Sequence, residues 1–233
     1  MVIARRPQHI SSLRSNLQEV TRLLKIHEGA TGTKPGRRVG VEVLNKSGVV
    51  LLVACWEAYV EDLATAAFDA LLSSASSHTA FPNRVLALAS QPLRAAPDES
   101  KVWDLAGVGW RQVLSDHRDR VLGRYVGKLN TPKSAQVSEL FEKLVGFPNL
   151  SSHWRWSSLT SATARDRLDA LVTLRGQIAH RVTTSRSVHK GEVVKKAAFL
   201  GRLAAISSNR LRTFVHARTG EYPWSKTRYR STQ

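Results

Sequence analysis

Hydrophobic residues recur along this chain at helical spacing, and no stretch shows the sustained alternation of apolar and polar residues that marks a strand. The pattern therefore predicts an all-α protein. The predicted helices run from about His9 to His27, Val41 to Ser73, a short segment after Pro82, Val113 to Val126, Ser134 to Val145, around Arg175, and Glu192 to Ala217. We expect one helical domain over residues 1–217, with a flexible basic loop at 29–40, and a basic aromatic tail at 218–233. A break is expected at Pro92 to Asp98, and an irregular segment at Phe147 to Thr160.

The second predicted helix contains eight consecutive apolar residues, Val49 to Trp56, which cover every side of the cylinder. This run predicts a central helix that is buried on all sides. Cys55, the only cysteine, lies within the run and is expected to be a small core residue, and a single cysteine excludes an internal disulfide. Three carboxylates follow at Glu57, Glu61 and Asp62.

Arg175 stands at the centre of an apolar stripe on its predicted helix. On a wheel of 3.6 residues per turn, apolar residues lie within about 60° of it at Leu168, Leu171, Val172, Ile178, Ala179 and Val182. A guanidinium group cannot shed its proton to avoid burial, so it needs an anion. That anion is either a buried carboxylate, with Glu57 and Asp62 as candidates, or a phosphate of a substrate.

The charge balance points to a polyanionic partner. Lysine and arginine number 35 against 18 aspartates and glutamates, which leaves a net charge of +17. Nucleic acid is the common partner of such a protein, and a merely solvated charged surface is the alternative. No apolar stretch approaches the length of a bilayer span, and the chain start lacks the apolar region of a signal peptide. We therefore expect a cytoplasmic protein that does not bind membranes.

Several enzyme signatures are missing from the sequence. There is no GxxxxGK(S/T) loop, HExxH helix or GxSxG elbow, and the histidines lack metal-ligand spacing, so we expect neither a metal nor a cofactor. An arginine followed by a histidine is suited to cleaving RNA without a metal. The histidine moves protons during attack of the ribose 2′-hydroxyl, the arginine stabilises the phosphate, and the products are a 2′,3′-cyclic phosphate and a 5′-hydroxyl.

In four places a histidine follows an arginine by five or six positions. The pairs are Arg22 and His27, Arg111 and His117, Arg175 and His180, and Arg210 and His216. Helical wheels place Arg22 and Arg111 at the surface, whereas Arg210 lies close to apolar neighbours and stays as the second candidate.

Arg175 and His180 lie about 140° apart on an ideal helix. Either the arginine reaches round, Gly176 allows a local distortion, or the two residues meet across a subunit boundary. The alternative is a structural arginine beside an incidental histidine.

An ordered set of segments carries a family resemblance: Leu51 to Leu63 (LLVACWEAYVEDL), Ala106 to Arg111 (AGVGWR), Asn130 to Pro132, Trp154 to Trp156, and Leu174 to Arg181 (LRGQIAHR). With these segments, most of the chain resembles the HEPN superfamily and, within it, the RiboL-PSP-type HEPN domains. The resemblance implies a helical bundle that homodimerises and brings two Arg-x4-His motifs into one metal-independent ribonuclease site. It also implies that Arg175 stabilises the phosphate and that His180 transfers protons.

Glu57 is the expected partner of Arg175, because it directly ends the apolar run and could not be buried unpaired; a solvent-facing carboxylate is the alternative. The residues expected to contact RNA are Gln177, Arg181, Trp110, Arg111, Lys226 and Arg228. Trp110, Trp154 and Trp156 either stack bases or fill the core or the dimer interface.

The expected role is that of an RNA-cleaving toxin or defence effector. Many HEPN nucleases carry a polar residue directly after the arginine, whereas this chain has Gly176. The alternative is therefore an inactive HEPN module that binds RNA or a protein partner, such as a nucleotidyltransferase-type antitoxin. A DNA-binding helical domain is a weaker third interpretation.

Overall fold

The computed structural model describes residues 7–31, 42–125, 132–181 and 187–229. Its α-helices are α1 (Gln8–Thr31), α2 (Glu42–Ser74), α3 (Asn83–Ala89), α4 (Gln91–Arg94), α5 (Trp110–Tyr125), α6 (Ser134–Val145), α7 (Ser161–Arg181) and α8 (Lys190–Thr219). Short 3-10 helices lie at His78–Ala80, Glu99–Leu105 and Leu150–His153. Within the described ranges the backbone forms no strand beyond an isolated bridge between Trp156 and Leu159. The predicted all-α class is confirmed.

Helix α2 runs through the middle of the bundle and packs against α1, α5, α6, α7 and α8. Its apolar run supplies core residues such as Val49, Leu52 and Trp56, each fully buried, and Cys55 is buried as expected. Leu51, however, is 39% exposed, and Ala54 also faces solvent. The prediction that α2 is buried on all sides is therefore wrong, because its neighbours leave one strip of the helix uncovered.

Short elements account for the other differences from the predicted pattern. The expected break at Pro92 holds the single turn α4, which accepts a proline because the first turn of a helix needs no amide donor there. Asp98 caps the following 3-10 helix by accepting from the Ser100 amide at 3.0 Å. Helix α1 continues to Thr31 into the predicted loop 29–40, whose remainder lies outside the described residues.

The irregular segment before α7 carries two tryptophans with different surroundings. Trp154 is fully buried; its Nε1 donates to the Ser207 hydroxyl at 2.9 Å, and its ring meets Trp56 edge-on. Trp156 is half-buried beneath the guanidinium of Arg202. Trp154 therefore fills the core, which was one of the two interpretations of the sequence.

Helix α7 is held in place by the start of α6. The amide and hydroxyl of Ser134 donate to the two carboxylate oxygens of Asp169 at 2.7 and 3.0 Å. These bonds satisfy an amide at the α6 N-terminus, where the helix itself offers no acceptor.

Candidate functional site

Four of the six apolar residues predicted around Arg175 are buried on α7. Exposure is 0% for Leu168, 2% for Leu171 and Val172, and 8% for Ile178. Ala179, near the end of the helix, is exposed, and Val182 lies outside the described residues. Arg175 itself is half-buried, and its Nε atom is shielded from solvent. The guanidinium therefore sits at the boundary between the core and the surface.

Glu57 is a carboxylate that lies close to Arg175. It is half-buried on α2; burial raises its pKa, and the nearby positive charge of Arg175 lowers it. Asp62 is exposed, and its pKa is raised by burial alone, with no contribution from the arginine. Of the two carboxylates that the sequence allowed, the structure brings Glu57 and not Asp62 into range of Arg175.

His180 lies on a different side of α7. The helix is continuous through Gly176, so the distortion considered at that glycine is not observed, and the two residues keep the separation of about 140°. His180 and Gln177 are both exposed. Arg181 ends the helix, and its side chain lies outside the described part of the chain. Within one protomer, His180 therefore faces solvent while Arg175 faces α2.

Gly176 has space beside it. A Cβ atom added at this position would meet no atom within 4 Å. Packing within the protomer therefore does not require the glycine.

Trp110 and Arg111 lie at the far end of α2. Arg111 donates to the carbonyls of Leu72 and Ala75 at 2.5 and 2.6 Å, and its guanidinium stacks on the Trp110 ring. The 15 residues from Glu57 to Leu72 correspond to about 22 Å of helix. The expected surface position of Arg111 is wrong, since the residue is half-buried and caps the C-terminus of α2.

The other arginine and histidine pairs have structural or solvated surroundings. Arg22 is exposed and paired with Glu19 at 2.6 Å, as expected, and the side chain of His27 lies outside the described residues. His117 is 2% exposed, and its Nε2 donates to the Lys143 carbonyl at 2.9 Å. Arg210, the second candidate, is exposed, so it lacks the burial that distinguishes Arg175.

Lys226 and Arg228 lie away from Arg175. They border a cleft against the start of α1, together with Arg14. This cleft is on the side of α2 where Tyr59 meets His9, whereas Glu57 is on the side that faces α7. Sequence reasoning missed Arg14, because no local pattern links it to a segment more than 200 residues later.

A strip of small and apolar side chains on α2 borders Glu57. Val50 and Ala54 lie within about 60° of Glu57 on the helix, and Leu51 and Ala58 extend the strip around it. All four are exposed or half-buried, and so is Val43, which lies two turns before Val50. We call these five residues, Val43, Val50, Leu51, Ala54 and Ala58, the α2 strip.

No group of three or more histidine, cysteine, aspartate or glutamate side chains in the described ranges is arranged to hold a metal ion. None of the helices in those ranges combines the length and the apolar character needed to cross a bilayer.

A family model described as RiboL-PSP-HEPN matches residues 11–211. The match includes Glu57, Arg175 and His180 and ends before the tail that carries Lys226 and Arg228. No curated protein and no solved structure matches the chain significantly.

Proposed function

This chain belongs to the RiboL-PSP-HEPN family, and on that premise we propose that it is a metal-independent endoribonuclease. The observation that carries the proposal is Arg175, a guanidinium held half-buried in an apolar stripe beside Glu57. Such a group can exchange part of its interaction with the carboxylate for a phosphate oxygen, because both are anions that match its planar donors.

The proposed reaction is transesterification within the RNA strand. The 2′-oxygen forms a bond to the adjacent phosphorus while the bond to the 5′-oxygen breaks. A neutral histidine accepts the proton of the 2′-hydroxyl, and a protonated histidine supplies one to the leaving 5′-oxygen. Arg175 stabilises the charge that builds up on the phosphate, and Glu57 orients the arginine. Gln177 and Arg181 are proposed as contacts to the flanking RNA.

This reaction needs a general base and a general acid, and each chain supplies one His180. Two copies of the chain would supply both groups. We infer a homodimer packed through the α2 strip. In a two-fold dimer the same patch lies on both subunits, and the small side chains of Ala54 and Ala58 let two helices approach closely. The strip adjoins Glu57, so the site would lie at the dimer seam, where the arginine of one subunit can meet the histidine of the other.

An Ala54→Arg substitution tests the dimer. A charged, bulky side chain in the middle of the strip is expected to give a monomer by light scattering and to abolish RNA cleavage without unfolding the bundle, because Ala54 is exposed in the protomer. A dimer that survives this change and still cleaves RNA would exclude the α2 strip as the interface.

The test of the enzymatic proposal is RNA cleavage in EDTA. We expect wild-type protein to leave 2′,3′-cyclic phosphate ends and His180→Ala to be slower by about 10²- to 10⁴-fold, the usual contribution of general acid and base catalysis. His78→Ala is the matched control, since His78 is also exposed but lies beyond the C-terminal end of α2. Equal cleavage by wild type and His180→Ala, or none by wild type, would refute the proposal.

A second candidate is an inactive HEPN module that binds RNA or a protein partner such as an antitoxin. Gly176 favours it, because many HEPN nucleases carry a polar residue directly after the arginine and packing within this protomer does not require a glycine there. Its signature is salt-dependent RNA binding without products, unaffected by His180→Ala. If the protein is instead a toxin or defence nuclease, its expression should arrest growth, and His180→Ala should relieve that arrest.

A further inference from the structure

The C-terminal tail is folded back onto the bundle. After Gly220, Trp224 is buried to 6% exposure, and its ring lies edge-on to His9 with centroids 4.9 Å apart. Its carbonyl accepts from Arg212 Nε at 2.7 Å. The described part of the tail therefore packs against both α8 and the start of α1.

Asn209 on α8 holds the next part of the tail. Its Nδ2 donates to the Thr227 carbonyl, and the Thr227 amide donates back to its Oδ1, both at 2.8 Å. One side chain thus satisfies both backbone groups of Thr227. The flanking residues Lys226 and Arg228 are exposed, and both line one cleft.

The cleft lies between the tail and the first turns of α1 and has a volume of about 390 Å³. Its lining residues are Pro7, Ile10, Arg14, Ser225, Lys226, Thr227 and Arg228. Pro7 and Ile10 are buried and form an apolar side. The lining contains the cations Arg14, Lys226 and Arg228, and no carboxylate is present among these described residues.

Like charges gathered around a concave space repel one another unless an anion enters it. Neither Arg14, Lys226 nor Arg228 takes part in the ion pairs formed within the described ranges. Both ends of the tail segment are nevertheless anchored, by Trp224 and by Asn209, so the cations are held together by the fold. The cleft is large enough for a phosphate with part of its sugar.

We propose that this cleft binds a backbone phosphate of single-stranded RNA through Arg14, Lys226 and Arg228, as a second contact outside the Arg175 site. The choice of RNA rests on the proposed function; the choice of a phosphate rests on the cleft itself. Because the cleft and Glu57 lie on opposite sides of α2, one short oligonucleotide cannot occupy both positions on the same protomer. The cleft therefore strengthens the binding of long RNA strands and not of dinucleotides.

Binding of a fluorescent single-stranded RNA of about 30 nucleotides tests the proposal, with full-length protein that carries His180→Ala so that the RNA stays intact. We expect the triple variant Arg14→Ala, Lys226→Ala, Arg228→Ala to bind at least about tenfold more weakly. The slope of log affinity against log salt should also fall by about 0.7 for each phosphate that the variant no longer neutralises. The matched control removes three exposed cations elsewhere, Lys25→Ala, Arg94→Ala and Lys195→Ala, and is expected to change both quantities much less.

Asn209→Ala supplies a second variant that leaves the charge unchanged. Releasing Thr227 should weaken RNA binding, because the cations are then no longer held at the cleft. Equal weakening by the two triple variants, or unchanged affinity in Asn209→Ala with the fold intact by circular dichroism, would overturn the proposal.

In the otherwise wild-type protein, the cleft triple variant should raise the KM for long RNA and leave the cleavage of a dinucleotide unchanged. If the wild-type protein cleaves RNA but the cleft triple variant binds RNA as tightly as its parent, the cleft proposal is refuted and the nuclease proposal stands. If the triple variant binds RNA more weakly but the wild-type protein does not cleave RNA, the nuclease proposal is refuted and the cleft proposal stands.

Discussion

Two regions of this protein carry an arginine and a histidine at similar spacing, each with a glycine close to the arginine, yet the fold uses them differently. At the start of α5, Arg111 donates to the carbonyls of Leu72 and Ala75, and His117 donates to the Lys143 carbonyl. On α7, Arg175 lies beside the Glu57 carboxylate, and His180 faces solvent. The spacing alone does not distinguish a structural pair from a candidate reactive pair. The groups that lie next to each arginine and histidine in the folded protein make that distinction.

The difference follows from where each arginine meets α2. Helix α2 ends at Ser74, and the last carbonyls of a helix have no partner within it, so they accept from Arg111. Near Glu57, in the middle of the helix, the carbonyls are already paired along the helix. Arg175 therefore meets a side-chain carboxylate, half-buried at the edge of the core.

The largest expected effect separates the two arginines by activity. Arg175→Ala should lower the rate of RNA cleavage by about 10²- to 10³-fold, since it removes the charge that we propose stabilises the reacting phosphate. Arg111→Ala should retain the cleavage rate per folded molecule and lose about 1–3 kcal/mol of stability, because two carbonyls at the end of α2 lose their donor. Single-turnover cleavage and urea unfolding measure the two quantities. The comparison fails if Arg111→Ala removes cleavage while the protein stays folded.

The glycines should respond to alanine with opposite signs. A Cβ at Gly109 would lie 2.0 Å from the Asp104 carbonyl oxygen, so Gly109→Ala is expected to cost about 1–3 kcal/mol through forced backbone movement. Gly176 lies within α7 with open space beside it, so Gly176→Ala is expected to gain up to about 1 kcal/mol of helix stability. Urea midpoints of the two variants test this. Destabilisation by Gly176→Ala would show that the glycine is required for packing after all.

The smallest effect concerns pH. Burial lowers the pKa of His117, so its contribution to stability is present above its ordinary value near 6.5 and is lost as the pH falls through the lowered pKa. Burial raises the pKa of Glu57 against the opposing charge of Arg175, so its contribution is present below its ordinary value and is lost as the pH rises through the raised pKa. His117→Gln should therefore reduce the loss of stability in acid, and Glu57→Gln the loss at higher pH.

Urea unfolding between about pH 4 and pH 8 measures these slopes. Burial lowers the pKa of His9 to about 4, which adds to the loss in acid, but it does so equally in the wild type and in both variants. The slope of unfolding free energy against pH should change in opposite directions in His117→Gln and Glu57→Gln. A change in the same direction would contradict a lowered pKa for His117 together with a raised pKa for Glu57.

Much of the fold was predictable because helical periodicity is a local property. The predicted helix from Ser134 to Val145 has the observed bounds, and α2 differs from its predicted bounds by one residue at each end. The turn α4 and the 3-10 helices were missed, since elements of three to seven residues are too short for a repeating pattern. The site was predictable in part, because a buried guanidinium requires an anion and Glu57 directly ends the apolar run, but the packing of α7 on α2 that brings Arg175 to Glu57 and not to Asp62 is not a local property of either segment.

By itself, the sequence determined the helical class, the apolar stripe that makes Arg175 costly to bury, and the excess of positive charge, because each depends on composition or on neighbours within a few turns. The tertiary structure decided which arginine meets a carboxylate, which one caps a helix, and that Arg210 is exposed. It also brought Arg14 to Lys226 and Arg228 across the length of the chain. These outcomes depend on which helices pack together, and that is set by the sum of many weak contacts that no single segment encodes.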